Sequence, residues 1–157
     1  MTITNKKLIE FVVLAKKNTY ASVARFNEAK QGATRLNSKD LAFQDGDFKY
    51  WDTYVGNSGF SGSEVVWYQE IPVWSMNYIG RMLTGVFGGE ISEFLMHALA
   101  KVNLEMPYRG PVFYQDGKFT YVNSVTGDFD WFSGKELIYY EGIPIYELVY
   151  HGGEVKK

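Results

Sequence analysis

The chain has 157 residues, 46% of them hydrophobic and 17% aromatic, which is enough for one globular domain that needs no metal or disulfide to fold. It contains no cysteine, and its net charge of −2 without a basic stripe argues against direct binding of nucleic acid. No apolar run approaches the roughly 20 residues of a membrane span, and no cleavable leader is recognised, so a cytoplasmic location away from membranes is expected.

A first helix is predicted to begin near Thr4 or Asn5 and to end near Asn18. Its apolar stripe consists of Leu8, Phe11, Val12 and Ala15. These positions have the i, i+3, i+4, i+7 spacing of a buried helix face, and Lys16-Lys17 is interpreted as part of the solvated face. The polar segment Thr19–Lys39 is given no role, because a loop of this length is either functional or disordered.

Hairpins and a second helix follow in the rest of the chain. The first hairpin turns at Asp45-Gly46 and the second at Gln69-Glu70, each between aromatic-rich alternating runs. A second helix is predicted from the apolar stripe Ile91, Phe94, Leu95, Ala98, Leu99 and Val102. Two more hairpins then turn at Asp116-Gly117 and Glu141-Gly142.

An internal repeat decides the predicted architecture. Residues 61–80 match residues 133–152 at a constant offset of 72 positions, including Ser61-Gly62 with Ser133-Gly134. The predicted class is α+β, a duplicated unit of one helix plus about four antiparallel strands in two hairpins, with the helices packed on the sheet. The two pseudo-repeats, about 4–83 and 90–153 of a single domain, are expected to be related by a pseudo-two-fold axis with a ligand cleft between them.

The two-residue turns predict the register of the second and fourth hairpins. With that register, Val65 faces Trp74 and Glu136 faces Glu147. The predicted core face consists of Val65, Trp67, Pro72, Trp74, Met76 and Tyr78, with Leu137, Tyr139, Pro144, Tyr146, Leu148 and Tyr150 in the second copy. Aromatic side chains with polar tips suit either a sheet core or a pocket for a planar or cationic ligand. Core is favoured for most of them, with two or three lining the cleft.

Carboxylates on the opposite face are the first candidates for chemistry. Like charges directly opposite each other destabilise a sheet, so a facing Glu136–Glu147 pair is either solvated or kept for cation binding or proton sharing. If the pair is semi-buried, changing either one to glutamine is expected to relieve repulsion and to raise stability near neutral pH. If both are exposed, the same change should alter stability by no more than about 0.5 kcal/mol. The candidate ligand-binding residues are Glu64, Asn77, Tyr78, Glu136, Glu147, Tyr150 and His151. Neither a cofactor nor a metal site is predicted, because two histidines are too few to suggest a closed ligand set.

Several motifs carry a family resemblance. They are Asn18-Thr19-Tyr20-Ala21, Ser38-Lys39-Asp40-Leu41, Gly46-Asp47-Phe48-Lys49-Tyr50, Glu64-Val65-Val66-Trp67-Tyr68, Met76-Asn77-Tyr78, Pro107-Tyr108-Arg109-Gly110-Pro111 and Tyr150-His151-Gly152-Gly153. With these motifs the chain resembles an uncharacterised prokaryotic domain family, found alone or following a helix-turn-helix of the Xre type, and looks like the stand-alone form. The resemblance implies no known activity, and its association with regulators implies a sensing role.

The sequence therefore suggests two alternative functions. The leading expectation is a non-enzymatic ligand-sensing or interaction domain whose site lies in the cleft between the two halves. The alternative is a small enzyme that uses the Glu136 and Glu147 carboxylates, with or without a metal. A small-molecule ligand is the expected partner, and a homodimer is left open.

Overall fold

The computed structural model describes residues 4–85 and 88–155. Within these ranges the helices are α1 (Asn5–Lys17), α2 (Val23–Ala29) and α3 (Gly89–Leu99). The strands are β1 (Lys30–Gln31), β2 (Lys39–Asp45), β3 (Phe48–Gly56), β4 (Gly59–Tyr68), β5 (Ile71–Met82), β6 (Phe113–Asp116), β7 (Phe119–Asp128), β8 (Trp131–Tyr140) and β9 (Ile143–Glu154). None of the described helices has the length and apolar character needed to cross a membrane.

All nine strands form one antiparallel sheet in the order β1-β2-β3-β4-β5-β9-β8-β7-β6. The sheet is continuous at its middle, where β5 pairs with β9 and Tyr78 lies opposite Tyr150. Strand edges carry unpaired N–H and C=O groups, and pairing β5 with β9 satisfies the edge that each would otherwise expose. Backbone hydrogen bonds therefore join the first five strands to the last four.

The predicted fold class is wrong. The structure is a single nine-stranded sheet with three helices among the described residues, not a duplicated unit of one helix and four strands. The segment Thr19–Lys39 contains α2 and β1, whereas no helix or strand lies between α3 and β6. The β5–β9 pairing leaves no gap in the sheet between the two halves that the sequence suggested.

The register of the hairpins differs from the prediction by one residue. The two-residue turns are confirmed, since Tyr68 pairs with Ile71 and Tyr140 with Ile143. Beyond each proline, however, a β-bulge adds one unpaired residue, Val73 in β5 and its counterpart in β9. Proline has no N–H to donate to the ladder, and bulges are among the few places in a sheet where it is tolerated.

Because of the bulges, the inward and outward faces of β4 and β8 are the reverse of those predicted. Most of the predicted core residues on β5 and β9 are confirmed as buried, namely Trp74, Met76, Tyr78, Tyr146, Leu148 and Tyr150. Pro72 and Pro144, also predicted as core, are exposed. On β4 and β8 the prediction is wrong, because the buried residues alternate with those expected. They are Glu64, Val66, Glu136 and Ile138, each with 0% of its surface exposed. The slip therefore places two carboxylates in the core, where the sequence analysis expected apolar side chains.

One face of the sheet, here called the inner face, carries the core. It consists of Tyr50, Asp52, Glu64, Val66, Trp74, Met76, Tyr78, Tyr121, Asn123, Glu136, Ile138, Tyr146, Leu148 and Tyr150. The predicted apolar stripe of α1 is buried against this core, with the rings of Phe11 and Phe48 stacked 4.8 Å apart. Phe94 of α3 stacks 5.1 Å from Phe119. Lys16, predicted to be solvated, is fully buried on the stripe of α1.

A glycine on β4 permits a close cross-strand contact. Gly62 pairs with Tyr78, and a Cβ atom placed on Gly62 would lie 2.5 Å from the Tyr78 hydroxyl and 2.6 Å from the backbone oxygen of Thr53. Gly62→Ala is therefore expected to lower the free energy of unfolding by about 1–3 kcal/mol, as overpacking does elsewhere. Gly59→Ala is the control, because a Cβ atom at Gly59 meets no atom within 4 Å. Urea unfolding of both variants checks this, and equal midpoints would contradict it.

Candidate functional site

Five ionisable side chains are buried together between α1, the sheet and the segment that follows α3. They are Lys16, Asp52, Glu64, Arg109 and Glu136, and none is more than 5% exposed. Charged groups are almost never buried unless they are paired, because losing their hydration costs several kcal/mol, about the same as a domain's whole stability. The partners of each group therefore show what the cluster can do.

Lys16 and Glu64 form the first ion pair. The Lys16 Nζ atom lies 2.9 Å from Oε2 of Glu64, and both side chains are 0% exposed. The same ammonium donates to the backbone oxygen of Tyr108 and lies 5.5 Å from the centre of the Trp74 ring. Burial lowers the pKa of Lys16, and the Glu64 charge opposes this shift. Oε1 of Glu64 has no hydrogen-bond partner among the described residues.

Arg109 and Glu136 form the second ion pair, in a two-pronged geometry. Nε of Arg109 donates to Oε2 of Glu136 at 3.1 Å, and Nη2 donates to Oε1 at 2.7 Å. Glu136 also accepts hydrogen bonds from the hydroxyls of Tyr121 at 2.6 Å and Tyr146 at 2.8 Å. Burial and the charge of Glu136 raise the pKa of both tyrosines, so they stay protonated as donors. Four donors therefore hold this carboxylate in place.

Asp52 has no cationic partner at ion-pair distance among the described residues. Its Oδ1 atom accepts a hydrogen bond from the Tyr78 hydroxyl at 2.7 Å. Burial, followed by the charge of Glu64, raises the pKa of Asp52 to about 7, while the bond from Tyr78 and the two buried cations oppose the rise. A carboxyl with a pKa near neutrality is typical of functional sites, although ion-pair networks produce such shifts too.

A pocket of about 360 Å³ opens above Asp52, Tyr78 and Arg109. Its walls include Tyr20, Val23 and Phe26 around α2, Tyr54 on β3, Phe60 on β4, and Leu95, Met96 and Leu99 on α3. The volume lies within the range of about 300–1,000 Å³ of small-molecule sites, which are likewise mostly apolar with a few polar groups. The segment Thr19–Lys39 thus forms part of the wall, because it contains α2. This helix begins after Ser22, whose side-chain oxygen accepts a hydrogen bond from the Arg25 N–H.

The structure separates the predicted site residues between two faces of the sheet. Glu64, Tyr78, Glu136 and Tyr150 lie buried on the inner face, and Tyr78 alone of these lines the pocket. The Tyr150 hydroxyl instead donates to Asn123 Oδ1 at 2.7 Å. Asn77, Glu147 and His151 lie on the opposite, outer face, where Asn77 and His151 are exposed cross-strand partners. The seven residues therefore do not form one site.

The predicted Glu136–Glu147 pair does not form. Because of the bulge, Glu136 lies opposite Leu148, and Glu147 lies opposite Leu137 on the outer face. There Glu147 is paired with Arg81 at 2.7 Å and Lys135 at 3.0 Å. Hydrogen bonds from these two cations lower the pKa of Glu147. Among the described residues, no three His, Asp or Glu side chains come close enough together to hold a metal ion.

Three residues of the buried cluster were missed by the sequence analysis. The burial of Lys16 could have been predicted, because this residue extends the stripe of α1 to the i+8 position relative to Leu8. The burial of Asp52 could have been predicted as well, since it follows the aromatic Tyr50 by two residues on β3 and therefore lies on the same face. Arg109 lies in the irregular segment between α3 and β6, where no periodicity indicates which side chains point inward.

Comparison with known proteins places the chain in a family. The profile of a domain of unknown function, DUF5680, matches residues 52–155. The chain belongs to the DUF5680 family. The resemblance to an uncharacterised domain family is thereby confirmed, and the DUF5680 region contains Asp52, Glu64, Arg109 and Glu136 but not Lys16. No curated protein and no solved structure matches the chain.

Proposed function

We propose that this DUF5680 domain is a non-enzymatic domain that senses a small molecule, which it binds in the pocket above Asp52, Tyr78 and Arg109. The observation that supports this most directly is the contrast between the pocket's walls and its floor. Aromatic and aliphatic side chains form the walls, whereas the floor holds two charged groups that are almost fully buried. Such a combination of an apolar cavity with a few convergent polar groups is typical of ligand sites.

The geometry gives less support to the alternative of a small enzyme. Its two carboxylates, Glu136 and Glu147, lie on opposite faces of the sheet, so no substrate can contact both. Glu136 already accepts four hydrogen bonds, from Arg109 and two tyrosines. A carboxylate whose oxygens are occupied by four donors is not free to contact a substrate, and Glu136 does not line the pocket.

Sensing requires that ligand binding change something outside the pocket. The pocket is lined by residues of α2, α3 and the strands β2 to β5, together with Arg109. A bound molecule would contact all of these elements at once and stabilise one arrangement of the helices over the inner face. If the family includes domains that follow an Xre-type helix-turn-helix, as the motifs suggest, such a change would be passed to the DNA-binding module there. For the present chain, which resembles the stand-alone form, we propose a cytoplasmic sensing role in which the change is passed to a partner.

A pocket-filling substitution tests the proposed site. Ser92 lines the pocket from the first turns of α3, so Ser92→Trp is expected to occupy the cavity. Glu93→Trp is the matched control, because Glu93 is exposed on the same helix and does not line the pocket. In a thermal-shift screen of metabolites, at least one compound class is expected to stabilise the wild type and Glu93→Trp but not Ser92→Trp. A ligand at 100 times its dissociation constant stabilises by about 2.7 kcal/mol.

Two results of this screen would count against the proposal. One is a library in which no compound stabilises the wild-type domain. The other is a set of compounds that stabilise Ser92→Trp as much as the wild type, which would place their binding outside the pocket.

A further inference from the structure

We propose that the pocket takes a small protonated amine with an apolar or aromatic body, whose ammonium group is bound by the Asp52 carboxylate. This inference rests on the proposed function, because it names the chemical class of ligand for the same pocket. Three features of the site support it: the balance of buried charge, the free hydrogen-bonding capacity of Asp52, and the aromatic walls.

The buried charges leave one negative charge unbalanced when Asp52 is ionised. Lys16 pairs with Glu64 at 2.9 Å, and Arg109 pairs with Glu136 at 2.7 Å. Asp52 is only 3% exposed and has no ion pair among the described residues. A charge in such surroundings is stabilised by an opposite charge close by. A cationic ligand would supply it.

Asp52 is positioned to accept a hydrogen bond from a ligand. The Tyr78 hydroxyl donates to Oδ1 and fixes the orientation of the carboxyl group. Oδ2 has no hydrogen-bond partner within residues 4–85 and 88–155, and Asp52 lines the pocket. An ammonium group has three donors and no acceptor, so it complements a carboxylate oxygen without a donor.

The walls suit an organic cation with an aromatic body. Phe26, Tyr54 and Phe60 line the cavity, and cations are attracted to aromatic rings of this kind. Two of these rings already lie close to a lysine ammonium, Phe26 at 5.3 Å from Lys30 and Tyr54 at 5.4 Å from Lys39. The Arg109 guanidinium also lines the pocket, but its charge is engaged by Glu136. Lys39 is exposed, and its ammonium donates to the backbone oxygen of Gly56 at 3.4 Å. A carboxylate ligand would instead be repelled by ionised Asp52 at the buried end.

Affinity for an amine should depend on pH through Asp52. The titratable and charged groups that face Asp52 or share its pocket come from every element around it. They are Lys16 from α1, Tyr20 from the segment after α1, Lys39 from β2, Tyr50 and Tyr54 from β3, Glu64 from β4, Tyr78 from β5 and Arg109 from the segment after α3. Burial and Glu64 raise the pKa of Asp52 to about 7, so the carboxyl is mostly protonated at pH 6 and mostly ionised at pH 8. Amines with ordinary pKa values stay charged throughout this range. Binding is therefore expected to tighten about tenfold from pH 6 to pH 8.

Three probes of nearly the same shape test the class of ligand by calorimetry at pH 8: phenethylamine, 2-phenylethanol and 3-phenylpropionate. The amine is expected to bind the full-length domain at least about tenfold more tightly than the alcohol, since this ratio corresponds to about 1.4 kcal/mol and a charged hydrogen bond contributes that much. The acid is expected not to bind. Only the amine should bind more tightly as the pH rises, and this comparison uses the wild-type protein alone.

Asp52→Asn provides the matched variant, because it keeps the shape of the side chain and an oxygen that accepts from Tyr78. This variant should lose both the preference for the amine and the pH dependence of binding. Burial lowers the pKa of Lys16, so Lys16 is a second group whose titration could affect binding, and the loss in Asp52→Asn assigns the pH dependence to Asp52. An amine that binds no better than the alcohol would overturn the inference. Preferential binding of the alcohol or acid would overturn it while leaving the proposed function intact. If no probe binds at millimolar concentration, the inference fails, and the Ser92→Trp screen decides the proposed function separately.

Discussion

Replacing Lys16 by methionine is expected to lower the free energy of unfolding by about 3–5 kcal/mol, the range found when one partner of a buried ion pair is removed. Methionine nearly matches the length of lysine, so the packing of α1 against the core is largely kept. The substitution removes the ammonium that lies 2.9 Å from Glu64, in a place where neither side chain is exposed. Glu64 would remain as an uncompensated buried charge, because Oε1 has no hydrogen-bond partner among the described residues.

Two further variants distinguish this effect from a general weakening of α1. Lys17→Met changes the neighbouring, exposed lysine and is expected to leave the unfolding midpoint in urea unchanged. The double variant Lys16→Met with Glu64→Leu removes both charges and should recover most of the loss, since apolar residues of similar volume often replace a buried pair without cost. Equal effects of Lys16→Met and Lys17→Met would show that the pair contributes nothing to stability.

Local features of the fold could be predicted from the sequence because their signals are local. The apolar stripe of α1 is buried as its spacing predicts. The turns at Gln69-Glu70 and Glu141-Gly142 connect the strands as their two-residue length predicts. Each of these features depends on residues within a few positions of one another, which is the range over which periodicity and turn chemistry act.

The pairing register of each hairpin was predicted correctly only up to the bulge. Directly after Pro72 and Pro144, the strands β5 and β9 carry one residue more than their partners, and the register changes. A shift of one residue exchanges the inner and outer faces completely. Alternation alone could not reveal it, because both faces of β4 carry apolar residues, such as Val65 and Val66. The burial of Glu64 could therefore not be predicted from the sequence.

The architecture and the pocket depend on contacts between residues far apart in the chain. The pairing of β5 with β9 joins residues more than 60 positions apart, and no turn or periodicity encodes it. Ion pairs of Lys16 with Glu64 and of Arg109 with Glu136 likewise connect separate elements. The sequence shows a repeat of residue types at an offset of 72 positions, but it does not show how the copies pair. For this reason it predicted separate units and missed the continuous sheet.

Glu136→Gln is expected to lower the free energy of unfolding by about 3 kcal/mol, the lower end of the range for breaking a buried ion pair. The register read from the sequence predicted the opposite sign, because it placed Glu136 beside Glu147 and expected repulsion. In the structure Glu136 is 0% exposed and accepts hydrogen bonds from Arg109, Tyr121 and Tyr146. Glutamine keeps the shape but removes the charge that compensates Arg109. Its amide group would also place two N–H donors next to the donors of Arg109, Tyr121 and Tyr146, which then lose an acceptor.

Glu147→Gln is the matched control for this prediction. The same chemical change is made eleven positions along the chain, where the carboxylate pairs with Arg81 and Lys135 on the outer face of the sheet. Exposed ion pairs contribute little because water and salt screen them, so stability should stay almost unchanged and the residual effect should disappear in high salt. The loss caused by Glu136→Gln should persist in high salt, since Glu136 is buried. Urea unfolding of both variants at low and high salt measures the difference. A stabilised Glu136→Gln protein would instead mean that Glu136 is not held by Arg109.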